Sequence, residues 1–258
     1  MKGKNVLVCG STQGIGWAAA QQFAANGANV ILLARNAGKL AENIAALEND
    51  GTQNHQFITA DFTQPLELQK VIDTWISNGN TVDVLVNNTG GPKGGPIVNA
   101  QVQEFLDAFN QHLICNHILA TAFIPGMKVK GWGRIINVIS TSVKQPLPNL
   151  GVSNTIRGAV ASWSKTLANE LGPFNITVNN VLPGATNTGR LQSIIENKAN
   201  TINESVDAIR EEMADESPMK RIAEPQEVAN AIYFLASDNA SYINGINVPV
   251  DGGRTKSL

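Results

Sequence analysis

The stretch Gly10-Ser11-Thr12-Gln13-Gly14-Ile15-Gly16 constrains the fold more than any other part of the chain. It follows a short aliphatic run, Asn5–Cys9, and opens a helix-favouring segment, Gly14–Asn26, before a second aliphatic run at Asn29–Leu33. Three glycines between a strand and a helix let the backbone turn tightly. They also bring main-chain N–H groups and the positive end of a helix dipole onto an anion. In a strand–turn–helix–strand unit, such a turn points to the pyrophosphate of a dinucleotide.

The same rhythm continues. Further strands are expected at Gln56–Thr59, Val82–Val86, Arg134–Ile139, Ile176–Leu182 and Ile246–Pro249. Helices are expected at Ala37–Asn49, Pro65–Ser77, Val102–Lys128, Leu150–Leu171 and Pro225–Leu235. Several strands carry apolar residues on both faces, as happens where helices cover both sides of a parallel sheet. The expected fold is α/β, a Rossmann-type doubly wound, mostly parallel seven-stranded sheet with helices on both faces, formed by residues 1–258 as a single dinucleotide-binding domain. The polar, helix-favouring stretch 188–224 holds no strand and is expected to overhang the strand ends, as a substrate lid or as a solvated helix pair.

Composition removes other classes. The chain is 43% hydrophobic and carries a net charge of −2 with its cations scattered, so neither nucleic acid nor an anionic membrane is indicated as a partner. The N-terminal apolar run is too short for a signal peptide, and no apolar run reaches a membrane-spanning length. Cys9 and Cys115 form no metal or redox pattern, and no metal site is expected. A cytoplasmic protein acting on a small molecule is the expectation.

Motifs along nearly the whole chain resemble those of the short-chain dehydrogenase/reductase family. Gly10, Gly14 and Gly16 have its GxxxGxG spacing, with Cys9 where those proteins usually carry Thr. Asp61, beside Phe62, resembles the adenine-contacting Asp. Asn87-Asn88-Thr89-Gly90 resembles the NNAG motif, and Pro183-Gly184 with Thr186 and Thr188 resembles the PGxxxT segment beside the nicotinamide. Asn244-Gly245 and Asp251-Gly252-Gly253 resemble the C-terminal signature. The resemblance implies cofactor contacts from Gly10, Ser11, Gln13, Gly14, Ile15, Gly16, Asp61, Phe62, Asn88, Gly90, Arg157, Pro183, Gly184, Thr186 and Thr188. It also implies a homodimer or homotetramer packed through the helices at 102–128 and 150–171.

The cofactor expectation is NADP(H). At the end of the second strand, Leu33-Ala34-Arg35 supplies no acid to accept from a ribose hydroxyl pair. Arg35 can instead grip a 2′-phosphate or, as a plain surface residue, cap the next helix.

The catalytic pattern departs from the family's Asn, Ser, Tyr and Lys. Ser140 matches the Ser. Ser153 stands at the Tyr position, Arg157 at the Lys position and His112 at the Asn position. The two tyrosines, Tyr233 and Tyr242, lie far downstream. An aliphatic hydroxyl is a poor general acid, and an arginine does not deprotonate. His112, with an intrinsic pKa of about 6.5, and Lys144, in the loop after Ser140, are the candidate substitutes. Each also has a plain structural reading. This pattern resembles a divergent β-ketoacyl-carrier-protein-reductase-like branch. The expected function is an NADP(H)-dependent oxidoreductase acting on a carbonyl or alcohol. The rivals are a lyase or isomerase on the same fold, and a nucleotide-binding protein without chemistry.

Overall fold

Seven strands form one sheet in the computed structural model, which describes residues 1–257; Leu258, the last residue of the expected domain, lies outside the described residues. The strands are β1 (Asn5–Cys9), β2 (Asn29–Ala34), β3 (Gln56–Thr59), β4 (Val84–Asn87), β5 (Gly133–Val138), β6 (Ile176–Pro183) and β7 (Asn247–Val250). Their order is β3-β2-β1-β4-β5-β6-β7, and every pairing is parallel. Strand order reverses between β1 and β4, so a crevice opens beyond their carboxyl ends.

The helices are α1 (Gly14–Ala25), α2 (Ala37–Ala46), α3 (Pro65–Ser77), α4 (Val102–Phe109), α5 (Cys115–Lys130), α6 (Gly151–Leu171), α7 (Gly189–Ile202), α8 (Val206–Asp215) and α9 (Pro225–Ala236). Alternation along β1 shows how the two layers divide. Val6 and Val8 join Phe23, Leu40 and Ile232 beneath α1, α2 and α9. Leu7 and Cys9 face the other way, onto Leu68, Leu119 and Leu167 of α3, α5 and α6. The apolar positions on both faces of β1 are thus buried.

Two sequence expectations need correction. The helix foreseen over Val102–Lys128 is two helices joined by a π-helical turn at Asn110–Ile114. Such a turn carries one extra residue and swings the side chains around it, and it occurs often at functional sites. It turns His112 inward. The fourth strand starts at Val84 rather than Val82, because Asp83 gives its carboxylate to the Asn5 N–H (2.9 Å) and to the Lys130 ammonium (2.6 Å).

A polar row that the sequence reading did not foresee crosses the sheet. Asn87, Asn137, Asn180 and Asn247 are in register on β4, β5, β6 and β7. Asn87 donates to Asn137 (2.8 Å), Asn137 to Asn180 (3.0 Å) and Asn180 to Asn247 (2.7 Å). Asn137 also donates to the Ser164 hydroxyl of α6 (3.2 Å). Buried amides are stable only when paired, and the row pairs them with one another.

Candidate active site

The glycine turn is a cradle that tolerates no side chain. Gly10 has φ +59°, and a Cβ there would lie 2.5 Å from the Asn88 carbonyl oxygen. A Cβ on Gly16 would lie 2.3 Å from the Gly10 carbonyl oxygen. Asn88, leaving β4, donates to the carbonyls of Cys9 (3.2 Å) and Gly10 (3.4 Å) and so ties the two strand ends together. Helix α1 begins after Gln13 with no side-chain cap, so its first N–H groups are left for an external acceptor. This open end over a cradle fits a pyrophosphate. Ser11 is fully buried, and its hydroxyl accepts from the Leu33 N–H (3.1 Å), so it shapes the turn. Asn43 was missed by sequence reading. It lies buried on α2 and donates to the carbonyls of Ser11 (3.2 Å) and Thr12 (3.1 Å). Its signal was an amide three residues after Leu40, on the stripe where α2 buries its apolar residues.

The other expected cofactor residues follow the carboxyl ends of β2, β3, β4 and β6. Arg35 is exposed at the end of β2, and Asp61 and Phe62 are half-buried after β3. Asp61 accepts from the Thr63 N–H (2.9 Å). Gly90 is exposed after β4, and Pro183 and Gly184 close β6. Thr186 is buried and donates to the Gly184 carbonyl (3.1 Å). Thr188 caps α7 by accepting from the Leu191 N–H (3.3 Å). It also packs near Gly14, where a Cβ would meet its methyl at 3.1 Å.

At the chemistry end, Ser140 lies two residues past β5 and caps a short 3₁₀ turn, its oxygen accepting from the Ser142 N–H (3.1 Å). Its own hydrogen stays free to point at a substrate oxygen. Ser153 is half-buried on α6. One turn later, Arg157 is buried and donates to the Val138 carbonyl (3.0 Å), just before Ser140. His112 is buried, with Nδ1 2.6 Å from the Thr89 hydroxyl and Nε2 without a partner. Lys144 is half-buried at the end of the 3₁₀ turn. Lys93 is exposed in the loop after β4.

Arg190 is a second residue that sequence reading missed. It follows Thr188 by two, in a segment where no motif marked it, and its guanidinium donates to the Pro92 carbonyl (2.5 Å). Its Nη2 and that of Arg157 lie 3.3 and 3.8 Å from where a Cβ on Gly91 would sit. The two cations act on what surrounds them. Burial first, and then Arg190, lower the Arg157 pKa to about 10, so it stays cationic at neutral pH. His112 is pushed well below the usual histidine range, by burial first and then by Arg157 and Arg190. That corrects the expectation that His112 titrates near neutrality.

Several other residues are structural. His55 accepts from the Val30 N–H (3.1 Å), and His117 accepts from the Trp163 indole (3.3 Å). Tyr233 packs against Phe23, away from the strand ends, and Tyr242 is exposed. Both cysteines are buried and unpaired. Among the described residues no group of three or more His, Cys, Asp or Glu is arranged for a metal ion, and no helix is long and apolar enough to cross a membrane.

Residues 10–255 match the family profile described as "Enoyl-(Acyl carrier protein) reductase". The chain belongs to the short-chain dehydrogenase/reductase family. As such it is an NAD(P)-dependent oxidoreductase. An uncharacterised oxidoreductase of Bacillus subtilis, YvrD, is 34% identical, covering 100% of this chain and 98% of its own. The NADPH-dependent reductase BacG of Bacillus subtilis is 30% identical, with both chains fully covered. The L-sorbose reductase of Gluconobacter frateurii, solved with NADPH and L-sorbose, superposes with a TM-score of 0.93 at 32% identity, covering 100% of this chain and 98% of its own.

Proposed function

We propose that this short-chain dehydrogenase/reductase uses NADP(H) to interconvert a carbonyl and an alcohol, with an active site in which Ser153 and Arg157 take the places of the family's Tyr and Lys. The observation that carries the cofactor choice is Arg35, exposed at the end of β2 where an acid would repel a 2′-phosphate. The NADPH-bound L-sorbose reductase and the NADPH-dependent BacG support the same cofactor. Gly10, Gly14, Ile15 and Gly16 would hold the pyrophosphate, Gln13 the start of α1, and Asp61 and Phe62 the adenine end. Asn88, Gly90, Pro183, Gly184, Thr186 and Thr188 would flank the nicotinamide end. Bound there, the nicotinamide supplies or accepts the hydride.

The chain's own residues do the rest. Ser140 donates its hydroxyl hydrogen to the substrate oxygen and orients it. Arg157 holds a ribose hydroxyl and keeps a positive charge beside the reacting carbon. It cannot release a proton. A histidine held neutral by burial and two guanidiniums is a weak proton source, which supports Lys144 over His112 as the donor. Lys144 is half-buried at the end of the 3₁₀ turn that Ser140 caps. The helices α7 and α8 share a small core of Leu191, Ile195 and Ile209, and act as the substrate lid.

The test measures NADPH and NADH affinity by fluorescence for the wild type and for Arg35→Ala. The loss of one charge-assisted pair weakens NADPH binding roughly 10–150-fold and leaves NADH unchanged. Unchanged NADPH affinity removes the cofactor assignment. A carbonyl panel is then followed by NADPH consumption. Product formed with no cofactor consumed replaces the redox reading with a lyase or isomerase.

A further inference from the structure

Two guanidiniums converge on Gly91, that of the buried Arg157 and that of the exposed Arg190. Arg157 is 7% exposed, and its recorded protein partner is a neutral carbonyl, Val138 O. Arg190 likewise bonds a neutral carbonyl, Pro92 O. Among the described residues no carboxylate forms an ion pair with either. His112, 1% exposed and with an unpartnered Nε2, feels both guanidiniums. A buried guanidinium without a counter-charge is costly, and a second one beside it raises that cost. Such an arrangement persists where a ligand brings the missing charge.

We propose that Arg157 and Arg190, with His112 Nε2, bind a carboxylate carried by the substrate, so that the carbonyl or hydroxy compound this enzyme takes is an oxo acid or hydroxy acid. The substrate class rests on the proposed redox function; the anion site does not. A carboxylate suits the spacing, because its two oxygens can each face one guanidinium across Gly91. Gly91 has no side chain to fill the space between them. The dinucleotide phosphates have their own place at the open end of α1. Arg190 joins the lid helix to the loop after β4, so an acid seated there draws α7 toward the site. The neutral imidazole contributes Nε2–H when Nδ1 accepts from Thr89.

The experiment is calorimetric titration of the NADP⁺-saturated protein with pyruvate, acetoacetate and levulinate, which place the carboxylate at increasing distance from the carbonyl. Acetone and inorganic phosphate are the controls. At least one oxo acid binds more than tenfold tighter than acetone, and Arg190→Gln weakens it roughly 10–100-fold. Arg190 sits on the rim, so its variant keeps the fold; nucleotide fluorescence checks this. Equal binding of oxo acids and acetone overturns the proposal, as does an unaffected Arg190→Gln. Oxo acids or phosphate that bind only without NADP⁺ show that the arginines serve the cofactor's phosphates, which also overturns it. If NADP⁺ itself does not bind, the redox reading falls, and titration of the nucleotide-free protein judges the arginine pair alone.

Discussion

His112 shows how far a residue's surroundings can move its chemistry. Free imidazole suits acid–base work at pH 7, but here burial, Arg157 and Arg190 all oppose its protonated form. The sign of the pH effect follows. The folded pKa is depressed, so above about 6.5 both states are neutral and the group is silent. As the pH falls below that value the unfolded chain binds a proton that the native state refuses. Stability then falls by up to about 1.4 kcal/mol per pH unit until the folded pKa is reached. His112→Asn should therefore flatten the loss of thermal stability between pH 6.5 and acid conditions. Acid profiles that run parallel for the two proteins would rule out this placement of the charge. The cofactor cradle was legible because glycine is read by what it excludes, and Gly10 and Gly16 exclude a Cβ. Arg190 was not legible: an arginine near the start of a polar helix looks like any solvated cation until the fold sets it against Gly91.

At the scale of elements, β1 and β2 declared themselves through short aliphatic runs, and α3 was placed to the residue at Pro65–Ser77. Periodicity could not show the π-helical turn, because one extra residue leaves the surrounding apolar pattern nearly intact. It could not show the asparagine row either. In the sequence these are asparagines scattered over four strands, and only strand order puts them side by side. Asn137 is the centre of the row. Truncating it leaves Asn87, Asn180 and Ser164 each short of a buried partner. Asn137→Ala should lower unfolding free energy by about 2–4 kcal/mol, given about 1–3 kcal/mol for each stranded buried group and partial rearrangement. Urea unfolding checks this, and a loss under about 1 kcal/mol would mean that the row is a coincidence of register.

For the whole molecule, one stretch of exposed apolar residues runs into α4, where Val98, Val102 and Leu106 are exposed within nine residues of one another. Single exposed aliphatics are ordinary, but a contiguous group marks a contact face. We propose that it helps to build the homodimer or homotetramer expected of the family. Sedimentation should show the wild type as a dimer or larger, and Leu106→Glu should shift it toward monomer without altering its circular dichroism. A monomeric wild type would end that proposal. The strand order also governs how the chain comes into being. Val6 pairs on one side with Val30 and on the other with Val84. During synthesis, β1 to β3 can associate early, but one flank of β1 stays bare until β4 has left the ribosome. An open edge of Val6, Leu7 and Val8 is then a sticky surface for other nascent chains. The glycine cradle, whose shape depends on Asn88 reaching back across that gap, is completed only when β4 and the residue after it arrive.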